Sequence, residues 1–301
     1  MAFQYQQRTY EPDVLKKLQK VELDILKDFA AVCDKYKLPY FLVFGSAIGA
    51  VRHKGFIPWD DDTDVAMLRK DYDRFLQVVD KELGDRYKIL TPEIDNNYAG
   101  TVTHLQRKGT KFVAEFSKDL KCDMCIDLDI FPLDHVAMNP RLAKIQELTA
   151  LFWGKLLFLW GTPHPVINLK GFKGAAAGWI CAFAHYALRI LHISPRFLFR
   201  KFKKAATRYN GKRAKYVTIF EGYWPLRKKI IKKDIFPLKK VVFEDMETYI
   251  PANNHEFLKS IYGDYMQLPP KENQINHIPY ILQFENEPPI IMNGVMQKKK
   301  S

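Results

Sequence analysis

The chain has 301 residues, 47% hydrophobic and 27% charged, which excludes a disordered chain and is enough to bury a core in one large domain or two modest ones. Four Cys exclude a disulfide scaffold and make a reducing compartment the simpler setting. The net charge is +13, yet residues 196–240 alone hold 16 Lys or Arg against Glu221 and Asp234, a net +14, so the basic character comes from one block. Such a block meets anionic lipid, nucleic acid or a phosphate-rich substrate, unless it is merely a solvated helical face. The first thirteen residues contain no apolar stretch of the secretory type.

Residues 11–36 read as a helix. Pro12 suits its first turn, and Val14, Leu15, Leu18, Val21, Ile25, Leu26 and Phe29 recur at roughly helical spacing. Residues 40–44 form a short apolar strand. Gly45-Ser46 then turns the chain into a short helix over 47–53, with Ser46 as its N-cap. A loop over 54–61 carries Gly55 and Pro58, followed by a strand at 63–68 and an amphipathic helix at 70–83. Further strands are expected at 87–90, 102–107 and 111–116, and at 125–131, closed by Pro132. One helix followed by strands mixed with few helices favours an α+β or mixed-sheet domain over a doubly wound parallel sheet.

From residue 141 the stretches are helical and very apolar. No charge occurs for fifteen residues between Lys173 and Arg189. That run is short for a transmembrane helix and suits a buried core helix or one lying in a membrane interface. Residues 236–270 return to a compact pattern with a short helix at HEFLKSIYG, and the QKKKS tail is expected to fray. The expected organisation is a catalytic core over 1–140, an apolar and basic helical insertion over 141–235, and a segment over 236–301 packing back on the core.

The chemistry concentrates in YFLVFGSAIGAVRHKGFIPWDDDTDVAML, residues 40–68. Side chains two apart on a strand share a face, so Asp62 and Asp64 project together. Two such carboxylates are costly unless a cation sits between them, and Mg²⁺ uses one or two carboxylates plus substrate phosphates. Gly45 lets backbone approach a phosphate, and Ser46 with N–H groups at a helix start binds one. Arg52 and His53 precede the acidic loop as a phosphate clamp or as a basic helix end favoured by the dipole. Trp59 packs the loop or faces a ligand. Cys122 and Cys125 have CxxC spacing, but the other two Cys are remote, so incidental thiols are expected.

The run GSAIGAVRHKGFIPWDDDTDVAML resembles the signature of the LicD family, which includes fukutin and fukutin-related protein. Asp129-Ile-Phe-Pro-Leu-Asp134 and residues 236–270 are similar to its second and third blocks. The resemblance implies a nucleotidyltransferase fold related to the DNA polymerase beta palm. It implies transfer of phosphocholine from CDP-choline, or of another phosphoalcohol such as ribitol phosphate, to a cell-surface glycan precursor. It assigns Gly45 and Ser46 to the phosphate turn and Asp62, Asp64 and Asp129 to Mg²⁺ or Mn²⁺, with Asp127 a rival for the third carboxylate. His277 is retained near the C-terminus, where Gln274 stands in place of an Arg that the family often carries. The expected partners are the donor, a glycan or lipid-linked glycan and an anionic membrane surface, without nucleic acid. The expected place is the cytoplasmic face of the membrane, peripherally.

Overall fold

The structure is a computed structural model that describes residues 10–114, 117–118, 120–165, 167, 169, 171–222, 229–274 and 276–292. Among them are seven α-helices and twelve strands. Helix α1 (Pro12–Tyr36) starts with Pro12 in its first turn, where the missing N–H costs nothing, and ends at Lys37 in the left-handed conformation. Its stripe of Leu18, Ile25, Leu26 and Phe29 is fully buried.

The main sheet runs β1 (Tyr40–Leu42), β2 (Asp64–Leu68), β6 (Asp127–His135), β4 (Thr103–Arg107), β3 (Tyr87–Leu90). Only the β2–β6 pair is parallel; the neighbours on either side are antiparallel. The sheet is therefore mixed, as the alternation of strands with few helices implied. Helix α2 (Phe44–Arg52) links β1 to β2, and α3 (Arg69–Leu83) follows β2 directly. Residues 64–67 are all buried, so β2 is covered on both faces and shows no simple in-and-out alternation.

Strand β6 departs from the expected range by continuing through Pro132 to His135. The Asp129 N–H donates across to Thr63 O on the β2 side, so the amide position of Pro132 faces the opposite edge. There β4 pairs only as far as Ile130, and β7 (Tyr216–Ile219) begins pairing at Leu133. Pro132 falls in the gap, where no donor is needed. Of the strand expected at 111–116, β5 (Lys111–Val113) is present, and Glu115 and Phe116 lie outside the described residues.

Strand β8 (Ile230–Ile231) extends the sheet from β7, and β9 (Lys239–Phe243) and β10 (Met246–Ile250) form a hairpin. After α7 (Asn254–Tyr262), β11 (Ile281–Gln283) pairs with both β5 and β12 (Ile290–Ile291). Helices α4 (Pro140–Gly161), α5 (Gly171–Ile190) and α6 (Pro195–Ala206) enclose a second apolar cluster that includes Leu157, Trp160, Leu188, Leu198 and Phe202. Ser194 caps α6 by accepting from the Phe197 N–H. Among the described residues, no single helix is long and apolar enough to cross a membrane.

A buried ion network ties the start of α3 to β6. The Arg69 guanidinium, at the start of α3, donates to both carboxylate oxygens of Asp134 on β6, at 2.9 and 2.6 Å. It also reaches Glu221 at 2.9 Å, and Asn210 Nδ2 donates to Asp134. All three charged side chains are at least nine-tenths buried.

Candidate active site

Register assembles the site. Asp64 opens β2 opposite Asp129 of β6, and on the other edge of β6 His104 of β4 is opposite Asp129. Directly paired residues share a face, so Asp64, Asp129 and His104 form one row across three strands. Asp127 lies two residues before Asp129 and therefore on the same face. Asp62 lies just ahead of β2 and is more exposed than Asp64.

The junction from β1 to α2 is tight. Phe44 has a φ of 49°, a conformation rare for a bulky residue and typically costing about 1–3 kcal/mol. Its ring packs edge-on against Phe131, 5.1 Å between centroids. This abrupt turn brings the first turn of α2, with Gly45 and Ser46, against the start of β2. A Cβ on Gly45 would fall 2.6 Å from Asp60 Oδ2, so glycine lets that carboxylate pass close to the backbone. The expected N-cap role of Ser46 is not what the structure shows: α2 starts three residues earlier than expected, at Phe44, with Val43 at the cap. Ser46 is buried instead, and its Oγ accepts from the Asp64 N–H at 2.8 Å. The helix start is thereby fixed to the strand bearing the carboxylates, and a helix start carries first-turn N–H groups without helical partners, which are able to receive an anion.

The acid triplet divides its work. Asp61 is almost fully buried and accepts from the Tyr10 hydroxyl at 2.7 Å and from the His277 N–H at 2.8 and 2.9 Å. Asp60 stands against Gly45. Asp62 faces the His277 ring, with Nδ1 3.2 Å from its Oδ2. Hydrogen bonds to Asp61 and Asp62 push the His277 imidazole up to about 11, so it is a cation at neutral pH. Burial, then Asp62 and Asp129, raise Asp64 well above the usual carboxylate range. Burial also raises Asp129, with His104 opposing and Asp127 and Asp62 adding to it. Such crowding of carboxylates is relieved by a cation.

His104, absent from the expected site, is at its centre. Its Nδ1 lies 2.5 Å from Asp129 Oδ1 and 3.2 Å from Asp127 Oδ2, and its Nε2 is 2.6 Å from the Tyr98 hydroxyl. Burial works against charge on the ring, but Tyr98, Asp129 and Asp127 outweigh it and raise its pKa. The buried His104 Nδ1 and Asp129 Oδ1 are paired with each other. One ligand atom each from His104, Asp127 and Asp129 lies within 4.8 Å of the others. Three donor atoms this close, two of them carboxylate oxygens, can converge on one cation that takes the place of the proton between His104 and Asp129, and Tyr98 on the far ring nitrogen fixes the imidazole as an outer partner would. The residues present therefore fit a divalent ion. Asp127 and Asp129, rivals in the sequence, stand together in this group. In the sequence His104 belongs to no motif, and only the pairing of β4 with β6 reveals it.

Arg52 and His53 stand at the other end of α2 from Gly45. They close α2, about 10 Å along its axis from Gly45. Arg52 donates to the Tyr265 carbonyl at 2.7 Å and to the Gln267 carbonyl at 3.4 Å, and its Nε to His53 Nε2 at 2.9 Å. Burial and the Arg52 charge lower the His53 pKa, which suits an imidazole acting as acceptor. Arg52 thus ties α2 to the segment after α7. Trp59 is half-buried and packs against the main core. Tyr262 ends α7, and burial, then Asp64, Asp60 and Asp62, hold its hydroxyl pKa far above normal. The Tyr265 hydroxyl instead meets His255 at 3.2 Å, and Tyr223 and Trp224 lie outside the described residues. Cys122 and Cys125 are free thiols, the former against Met124 Sδ.

A mixed sheet thus sets a helix start beside a row of carboxylates and an imidazole, and His104, Asp127 and Asp129 form a group that could hold a metal ion. Residues 37–139 match the family model described as LicD/FKTN/FKRP, nucleotidyltransferase domain. The chain is 33% identical over 273 residues to the lipopolysaccharide cholinephosphotransferase LicD of Haemophilus influenzae, covering 87% of this chain and 95% of that protein. Two uncharacterized Rickettsia proteins match shorter segments: 38% identity to one from R. typhi, over 21% of each chain, and 34% to one from R. prowazekii, over 18% of this chain and 21% of that one. The chain belongs to the LicD family.

Proposed function

We propose that the protein transfers phosphocholine from CDP-choline to a hydroxyl of a lipopolysaccharide or lipid-linked glycan precursor, releasing CMP. The observation that carries this reading is the row Asp64, Asp129 and His104, with Asp62 and Asp127 beside it, set against the first turn of α2. The name of the H. influenzae relative supplies the choline and the lipopolysaccharide. The nucleotidyltransferase palm is the fold proposed for the core, with 141–235 as an insertion. The reaction is proposed at the inner face of the membrane, where lipid-carried precursors are built.

In this reading His104, Asp127 and Asp129, with Asp62 and Asp64, would hold Mg²⁺ or Mn²⁺, ions suited to carboxylate donors. A bound ion supplies charge neutralisation to the diphosphate. The first-turn N–H groups of α2 around Gly45 and Ser46 bind a phosphate oxygen, and His277 adds a positive charge beside Asp62. The acceptor oxygen forms a bond to the choline-bearing phosphorus, the phosphoanhydride bond breaks, and CMP leaves with the electron pair. The hydroxyl proton passes to the surrounding carboxylates.

The test is CMP release from a panel of CDP-alcohols in the presence of Mg²⁺. CDP-choline is expected to be used in preference to CDP-glycerol and CDP-ribitol, with EDTA stopping release and Mg²⁺ or Mn²⁺ restoring it. Exclusive use of CDP-ribitol would move the donor assignment, and release in EDTA would remove the metal.

Tyr262 gives a narrower expectation. A quaternary ammonium over a ring face gains about 0.5–2 kcal/mol, so Tyr262→Ala lowers the CDP-choline to CDP-glycerol preference by about 2- to 30-fold. Tyr262→Phe keeps the ring and the preference. An unchanged ratio in the Ala variant takes Tyr262 out of choline recognition.

A further inference from the structure

We infer that the outward face of α5 is a membrane seat, lying in the plane of one leaflet of an anionic phospholipid bilayer. This rests on the lipid-borne acceptor of the proposed function and identifies the surface that holds the enzyme beside it.

The first support is exposure. Of the twenty residues of α5, only His185 and Leu188 are buried. Phe172 is 87% exposed, Trp179 79%, Phe183 76% and Ile190 74%, with Ile180 and Tyr186 also more than half exposed. Residues 172, 179, 183, 186 and 190 recur at helical spacing, so they line one face rather than scatter. Soluble monomers rarely leave a continuous apolar stripe of that length open to water. Trp and Tyr are the side chains enriched at membrane–water interfaces.

Charge supplies the occupant. Lys173 and Arg189, near the two ends, are the only charged residues in α5. Over residues 148–220 there are 13 Lys or Arg and no Asp or Glu. On α6, Arg200, Lys201 and Lys204 are exposed. An apolar face with a basic border matches hydrocarbon bordered by anionic headgroups. A second copy of the chain would bring an equally basic border against this one, and like charges facing each other disfavour association.

Geometry favours lying over spanning. The His185 ring is 2.8 Å from the Leu159 carbonyl of α4, and Leu188 belongs to the apolar cluster that α4 and α6 share. Arg189 stacks on Trp160, 3.7 Å from the ring centroid. One side of α5 is thus held to the protein while the other is open. The chain then bends by 112° into α6, whose apolar side is buried in the protein.

The experiment is flotation of the full chain with vesicles of equal parts phosphatidylglycerol and phosphatidylcholine, beside pure phosphatidylcholine vesicles. It compares the wild type with Trp179→Glu/Phe183→Glu, whose side chains project into solvent. The wild type is expected to float with the anionic vesicles and less with the neutral ones. The variant is expected to lose about tenfold or more of that binding while keeping its CD melting transition. Equal flotation of both proteins, or none by either, overturns the seat. A wild-type dimer by light scattering that the variant converts to monomer also overturns it, making the face an interface between copies. CMP release from CDP-choline is read separately in vesicle-free buffer and is expected to be equal. Because flotation and release are read independently, failure of the seat and failure of the proposed reaction are distinguishable.

Discussion

Asp64→Asn and Asp129→Asn each lower CMP release at least about a hundredfold and leave the protein folded. Asn keeps the size of Asp but removes the charge that would hold the proposed cation, and losing a metal ligand costs several kcal/mol of transition-state stabilisation. The thermal transition without added metal distinguishes this from unfolding. Burial and neighbouring carboxylates raise both pKa values in the folded protein, so ionising them at neutral pH costs folding stability. A neutral amide relieves that cost, and the variants are expected to melt near or above the wild type. Wild-type turnover in either variant would sink the site assignment. A large fall in melting temperature would convert it into a structural one.

Arg69→Met is expected to have the largest effect on stability. It leaves Asp134 and Glu221 buried without their cation, and breaking a buried pair in this way costs about 3–5 kcal/mol. A lower urea midpoint with an unchanged slope is the reading that supports this. Replacing Asp134 and Glu221 by Leu and Met in the same protein should recover much of the loss, because the penalty comes from orphaned charge rather than from volume. A midpoint equal to wild type would mean that water or another cation reaches the carboxylates.

Most of the core was legible in the sequence because its elements are short, strongly patterned and bounded by clear stops. Pro12 opens α1 where expected, and the 87–90 strand is found within its expected bounds. The misreadings share a cause: they depend on contacts distant in sequence. Pro132 looks like a terminator until β4 and β7 are seen to leave its amide position unopposed. Ser46 looks like an N-cap by residue type, yet its oxygen is used eighteen residues away, on the Asp64 N–H. His104 carries no local signal, since a single imidazole in a polar strand has no spacing to betray it. For α5, apolar periodicity identifies a helix but not which of its sides meets the protein.

The hydrogen bonds of Asp61 have a consequence for how the site comes into being. One buried carboxylate receives Tyr10 from before α1 and residue 277 from beyond α7, so the acidic loop is fastened to parts of the chain 267 positions apart. During synthesis the triplet and its neighbouring strands emerge long before residue 277 exists. Until then Asp61 lacks the His277 N–H that reaches both its oxygens, and Asp62 lacks the His277 cation. A growing chain therefore carries the carboxylates of the site without the closure that arranges them. The arrangement of these carboxylates is set only once residue 277 has been added and has folded back onto the acidic loop.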